Sequence, residues 1–390
     1  MQEVYIVSAV RTPIGKRNGY LRNWTAPELL GTVLDEVVRR IDLDPALVEE
    51  NITGNVMQVG EQGQDIGRMG VLASKFPITV PGISVNRQCG SSLTAIQLAF
   101  GMIASGTMDV VIASGCEFMT KYPIMGDVGG TLFNGQPMGD PFGEWFKDKY
   151  GMPNQMKAAQ MIADKWGITR EECHEFAIAS HKKAHAATIN GYFKKEIVPL
   201  KGVDKDGNEI VRHTDEGIRP EVTQEALLSL KIIENTKWIT AGISSTITDG
   251  ASAVVLMSEM KMKELNLNPM ARIVANAVIG ADPQIMLTGP IYVTPKVLKK
   301  AGLSIDDIDI FEINEAFAPI PLAWAKELKA DVSKLNVNGG AIALGHPVGN
   351  SGCRLTITAV NELIRRKVKY ALISLCTGFG MAPATIIERA

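Results

Sequence analysis

The chain has 390 residues, too many for one ordinary hydrophobic core, so two or three packed units are expected. Its 40 basic and 42 acidic side chains give a net charge of −2, which offers no basic face to nucleic acid; a charged metabolite must be held by local groups. Five cysteines, an odd number without a C-x-x-C spacing, point to neither a disulfide framework nor a zinc site and suit a reducing cytoplasm.

Val4 to Val10 read as a strand, with no basic segment followed by an apolar one before it, so no signal peptide is expected. No run of about 18 uncharged apolar residues suggests a membrane span. Leu29, Leu30, Val33, Leu34, Val37 and Val38 have helical spacing and predict a helix from about Ala26 to Arg40. A second strand is expected near Ile52 to Val59, and a helix at about Arg68 to Lys75. Ile83, Ser84 and Val85 then lead through Asn86, Arg87 and Gln88 to Cys89, Gly90 and an apolar helix carrying Leu93, Ile96 and Ile103. Asp109 to Ala113 is the continuous apolar run of a strand buried on both faces.

Between 121 and 242 the texture changes to glycine- and proline-rich turns, helices at Gln155–Trp166 and Arg170–Asn190, and a polar stretch from Gly202 to Arg219. This segment reads as an insertion covering an α/β body and supplying substrate contacts. The body resumes with an apolar strand from Asp249, then a strand at Arg272 to Val278, a helix at Thr294 to Ala301 and a strand at Ile308 to Ile313. NEAFA opens a helix reaching about Leu328; NVNGGAIALGHPVGNSG leads into a helix at Arg354 to Arg366, and strands follow at Tyr370 to Leu375 and Ala384 to Glu388. The order strand, Val-Asn, glycine turn, long helix, apolar strand occurs at 85–113 and again at 337–375. Two copies of one α/β unit are therefore expected: 1–120 with 243–268, and 269–390, with 121–242 inserted.

Cys89 sits where a strand turns into a helix, and the unpaired N–H groups of a helix start favour a thiolate. Taken alone, that stretch fits a buried structural cysteine better; the downstream motifs turn the reading toward chemistry. Of five histidines, only His346 lies in a glycine-rich turn, where it can serve as the base a thiol nucleophile needs. Cys376 precedes Gly378 and Gly380; it could pair with Cys89 or carry a proton, and the glycine surround favours the second. Asn314 follows a strand directly and suits orienting a water or a carbonyl. His174, His181 and His185 read as a solvated helix face, and no metal site is expected.

VNRQCGSS, NEAFA, NVNGGAIALGHPVGNSG and CTGFG resemble the signature blocks of the thiolases, the acyl-CoA C-acyltransferases, in that family's order, and RTPIGK and TAGISSTITDGA resemble further blocks. The resemblance implies a five-layered α-β-α-β-α fold with an inserted loop domain. It implies that Cys89 carries the acyl group as a thioester, that His346 deprotonates it and, with a water held by Asn314, binds the substrate's thioester oxygen. Cys376 would then be the acid/base for the acetyl-CoA enolate, and the N–H groups of Cys89 and Gly378 an oxyanion hole. Ser245, Met286, Ala316, Phe317 and Arg219 match coenzyme A contacts, although Met286 and Phe317 also suit plain core positions and Arg219 a surface charge. The implied substrates are acyl-CoA and CoA, with no permanently bound cofactor, in a homodimer or a tetramer of two dimers.

Three positions depart from the pattern of many short-chain thiolases: Met152 to Gln155 in the covering loop, Ile243, and Phe379 where a glycine is common. The covering loop and the TAG block resemble thiolases acting on bulky or branched acyl groups, including steroid side chains, and Phe379 could narrow or reshape the pocket floor. A β-ketoacyl synthase would share the fold but place two histidines where Asn314 and Cys376 stand. A non-catalytic acyl-CoA-binding subunit would be expected to have lost Cys89, His346 or Cys376, and all three are present.

Overall fold

The computed structural model describes residues 2–131, 134–137 and 139–390. The first half supplies β1 (Val4–Arg11), β2 (Gly15–Lys16), β3 (Glu50–Gly54), β4 (Gly82–Val85) and β5 (Val110–Phe118). A hairpin of β6 (Leu200–Val203) and β7 (Glu209–Arg212) lies in the intervening segment, largely within the polar stretch from Gly202 to Arg219. The body continues with β8 (Thr248–Ser258), β9 (Ala271–Gly280), β10 (Ile310–Ile313), β11 (Tyr370–Ser374) and β12 (Met381–Arg389). The order β10-β11-β12-β9-β1-β8-β5-β3-β4 joins both halves in one mixed sheet, linked by a short pairing of Tyr5 and Ile6 with Arg272 and Ala271.

Successive strand residues point to opposite faces, so each half-sheet separates two apolar layers. On the outer face of the first half, Leu29, Leu30 and Val33 of the helix Ala26–Arg39 pack on Val10, Ile112 and Val255. On the outer face of the second, Val297 and Trp324 pack on Phe311, Leu372 and Ile386. Between them, Leu93 and Ile96 of the helix Ser91–Ala104 and Leu355 and Ile357 of the helix Ser351–Arg366 touch Val111 and Val254 on one side and Ile310 and Ile373 on the other. Helix, sheet, helix pair, sheet, helix makes five layers. The central helices, buried where they cross, require small residues there: a Cβ on Gly352 would stand 2.2 Å from the Leu93 nitrogen.

Three local expectations are corrected. The second strand stops at Gly54 rather than Val59, because the N–H groups of Val56 and Met57 turn away from the ladder to the Glu117 carboxylate. The helix expected at Arg68 to Lys75 spans Ile66–Leu72. The helix face bearing His174 and His181 is not solvated: both are buried, where the helix Arg170–Ile189 packs on the body. The internal repeat is also imperfect. Residues 335–338 do not form the counterpart of β4, since Asn336 adopts φ 42° and its side chain bonds both the N–H and the C=O of Ile313. Among the described residues no helix is long and apolar enough to cross a membrane.

Gly352→Ala is expected to cost about 3 kcal/mol through overpacking against Leu93. Gly101→Ala, on an open stretch of the helix Ser91–Ala104, should instead gain about 0.5–1 kcal/mol of helix stability. Thermal unfolding midpoints moving in opposite directions check both.

Candidate active site

Four turns meet at the strand ends around a cavity of about 960 Å³. Cys89, His346 and Gly378 line it together with Met286, Ala316, Phe317, Ser245 and Arg219. Asn314 and Cys376 stand behind this surface, fully or almost fully buried. The structure thus brings the candidates of the two halves together. The Ser245 N–H bonds the Ala316 carbonyl at 2.9 Å, which ties the two stretches expected to contact coenzyme A.

Glycine makes the meeting possible. A Cβ on Gly90 would come 2.7 Å from Pro383 Cγ and 2.9 Å from Thr377 Cγ2, so the turn after Cys89 and the turn after Cys376 close on each other only with glycine between them. The two sulfurs are near enough that charge on Cys89 raises the pKa of Cys376, on top of a larger rise from burial. All five cysteines are free.

Cys89 is the reverse of a preformed thiolate. Burial pushes its thiol up to about 12, only partly opposed by the N–H groups of Cys89 itself and Gly378, which face the sulfur. The expectation drawn from the helix start is therefore corrected: the N–H groups of Gly90, Ser91 and Ser92 bond the carbonyls of Arg87, Gln88 and Gly349, and desolvation outweighs the two N–H groups that do face the sulfur. His346 is pushed down to about 3, first by burial and then by the Arg354 guanidinium, so the resting imidazole is neutral.

Its tautomer follows from its partners. Ser351 donates its hydroxyl to the Pro347 carbonyl at 2.9 Å, so its oxygen accepts from His346 Nδ1–H at 2.6 Å. Nε2 is left as the basic nitrogen, accepting from Asn314 Nδ2 at 3.2 Å. The Asn314 Oδ1 atom is buried without a partner, a position that calls for a donor such as a bound water.

Two buried carboxylates, unmarked in the motif reading, support these groups. Glu117 accepts from the N–H groups of Val56 (2.8 Å), Met57 (3.2 Å) and Gly349 (2.9 Å) and from Gln62 Nε2 (2.8 Å). Burial lifts it to about 6, and those donors limit the rise. Glu315 accepts from Ser180 Oγ (2.7 Å), Asn336 Nδ2 (2.8 Å) and the Ile342 N–H (3.1 Å), which fixes the residue following Asn314. An acid within the otherwise apolar strand β5 was the available signal for Glu117. Among the described residues no group of three or more metal-ligating side chains occurs, and His181 instead accepts the Arg219 N–H at 3.1 Å.

The chain matches the models of the thiolase N-terminal domain over residues 4–260 and the thiolase C-terminal domain over residues 267–389. It is 42% identical to a steroid 3-ketoacyl-CoA thiolase of Mycobacterium tuberculosis, over all of this chain and 95% of that one. It is 40% identical to an acetyl-CoA acetyltransferase of Cupriavidus necator over the whole of both. The crystal structure of the Bacillus anthracis acetyl-CoA acetyltransferase superposes with a TM-score of 0.91 at 39% identity, covering 100% of this chain and 99% of that one. With both halves, the layered fold and full-length relatives in agreement, the chain belongs to the thiolase family.

Proposed function

We propose that this thiolase cleaves 3-ketoacyl-CoA with CoA by a ping-pong route through an acyl-Cys89 thioester, and condenses two acyl-CoAs by the same steps reversed. The observation that supports it best is the meeting, on one cavity, of a sulfur and a base of fixed tautomer contributed by opposite halves of the chain. His346 is the one histidine on that cavity among the described residues, which argues against a two-histidine condensing enzyme.

His346 Nε2 takes the Cys89 proton as the sulfur attacks the C3 ketone. Neither ion is stable alone in so buried a site, so transfer is coupled to attack. The C2–C3 bond then breaks; the acyl group stays on Cys89, and the acetyl-CoA enolate takes its proton from Cys376. A water on Asn314 Oδ1, together with His346, holds the enolate oxygen, while the N–H groups of Cys89 and Gly378 serve the oxyanion at the acyl carbon. After acetyl-CoA leaves, CoA gives its thiol proton to Cys376 and attacks the thioester. Cys89 departs and recovers its proton from His346, so the balance closes.

Ser245, Met286, Ala316, Phe317 and Arg219 are proposed to hold the CoA portion. The halves 1–120 with 243–268 and 269–390 carry the chemistry, and 121–242 is the cover. We place the enzyme in the cytoplasm. We also propose a homodimer, or a tetramer of two such dimers, paired along β4, an edge strand with an unpaired side and an exposed Ile83.

With a panel of 3-ketoacyl-CoA substrates from acetoacetyl to branched, CoA-dependent cleavage is expected, and mass spectrometry should find an acyl adduct on Cys89. Cys89→Ala should remove the adduct, and His346→Ala should lower kcat by about 10²–10⁴-fold; an adduct on another residue refutes the assignment. Iodoacetamide labelling of free Cys89 should be slow at neutrality and climb through the alkaline range, because its raised pKa keeps the thiolate scarce until pH approaches it. A plateau near neutral pH would contradict the neutral resting pair. Light scattering should show Ile83→Asp at monomer mass where the unaltered chain is dimeric or tetrameric.

A further inference from the structure

The turn after Cys376 holds a residue in a conformation that its type resists. Phe379 has φ 64°, in the left-handed region, between Gly378 and Gly380. Glycine would adopt this backbone freely, whereas phenylalanine does so against steric repulsion, and strain of this kind persists where surrounding structure uses it.

Phe379 follows directly after Gly378, whose N–H faces the Cys89 sulfur, and it lines the same cavity. Its ring lies 5.6 Å from that of Phe142 and 6.5 Å from that of Phe146. Phe142 and Phe146 are themselves edge-to-face at 5.3 Å, and Tyr150 extends the set. The helix Glu144–Tyr150 has no buried residue, and Trp145 on it is 66% exposed. Phe142, by contrast, is buried, so the segment is seated on the body through aromatic contact with Phe379. The strained backbone therefore aims one ring two ways: toward the reacting end of the cavity and into the segment that covers it.

Besides this ring the cavity is lined by the apolar Met119, Ile124, Met125, Met156 and Ile233 and by polar groups that include Lys16, Arg17, Asn154, Gln155, Glu216 and Arg219. The apolar ones are mostly flexible, so Phe379 offers an acyl chain on Cys89 a rigid flat apolar face in this cavity. A straight chain loses rotational freedom on lying against such a face; a chain already rigid loses little.

We propose that Phe379, backed by Phe142 and Phe146, selects the acyl group, and that the group selected carries a rigid, bulky apolar chain of alicyclic kind lying on this aromatic face. The inference rests on the thiolase reading and names the substrate class of that site. The test is the ratio of kcat/KM for a 3-ketoacyl-CoA ending in a cyclohexyl ring to that for acetoacetyl-CoA. The unaltered enzyme should favour the ring substrate. Phe379→Gly, which suits the left-handed backbone and should fold, is expected to lower the ratio at least about tenfold, as loss of an apolar contact does. The pair Phe142→Leu with Phe146→Leu leaves Phe379 present but unsupported and should lower the ratio in the same direction. A ratio that is unchanged, or that rises in Phe379→Gly because the ring had been a plug, overturns the proposal while leaving the thiolase reading intact. Absence of cleavage of either substrate by the unaltered enzyme overturns both.

Discussion

A single carboxylate without a cation partner sets the geometry of the site. Glu117 ends an apolar strand of the first half, and its two oxygens gather N–H groups from the loop at 56–57 and from Gly349 in the second half. The loop carrying His346 is thereby fastened to the half that carries Cys89. Such a group is costly to bury, and the rise of its pKa to about 6 reflects that cost. The donors that offset it come from three chain segments at once: the backbone at 56–57, the backbone at 349 and the Gln62 side chain. Gly349 is part of the same arrangement: a Cβ there would sit 2.5 Å from the Glu117 Oε2 atom. Apolar side chains of Val56, Met57, Met119 and Val348 then close over Cys89 and exclude water.

Exclusion of water has an electrostatic consequence. The environment that holds Cys89 and His346 in place also keeps both uncharged, since desolvation moves the thiol up and the imidazole down. A site of this kind stores no reactive ion between turnovers. It holds donors at the sulfur, a basic nitrogen of fixed direction and an unpartnered Asn314 oxygen, which in the proposed reaction meet charge that exists only once a substrate is present. Arg354 contributes to this poise, because its buried positive charge opposes an imidazolium, with Glu312 3.8 Å away as its nearest counter-charge.

The body and the turns that meet at the cavity were readable in the sequence because both depend on local patterns. Buried parallel strands show as unbroken apolar runs, and the motif turns hold glycines where backbones must touch, as Gly90 does against Pro383 and Thr377. What stayed hidden depends on partners far along the chain. Nothing near Ile52 to Val59 announces that Glu117 will draw the backbone out of the strand. Nothing on the charged helix Arg170–Ile189 tells that His174 and His181 face inward, because its alternation of charged and small residues describes a solvated face equally well. The charge state of Cys89 was misjudged for a related reason: the helix start is local, whereas the burial that outweighs it comes from the whole fold.

The two halves began as equivalent patterns, and their differences fall where the halves have different tasks. In the first, β4 completes the sheet and leaves its outer edge open, close to Cys89. In the second, the matching stretch gives up its ladder; Asn336 bonds both backbone groups of Ile313 and also holds Glu315, on either side of Asn314. One strand's worth of regular pairing is exchanged for side-chain bonds that fix the single amide reaching His346. Regularity was therefore lost at the sheet edge where side-chain bonds hold Asn314 against His346, and kept at the edge beside the turn that carries Cys89.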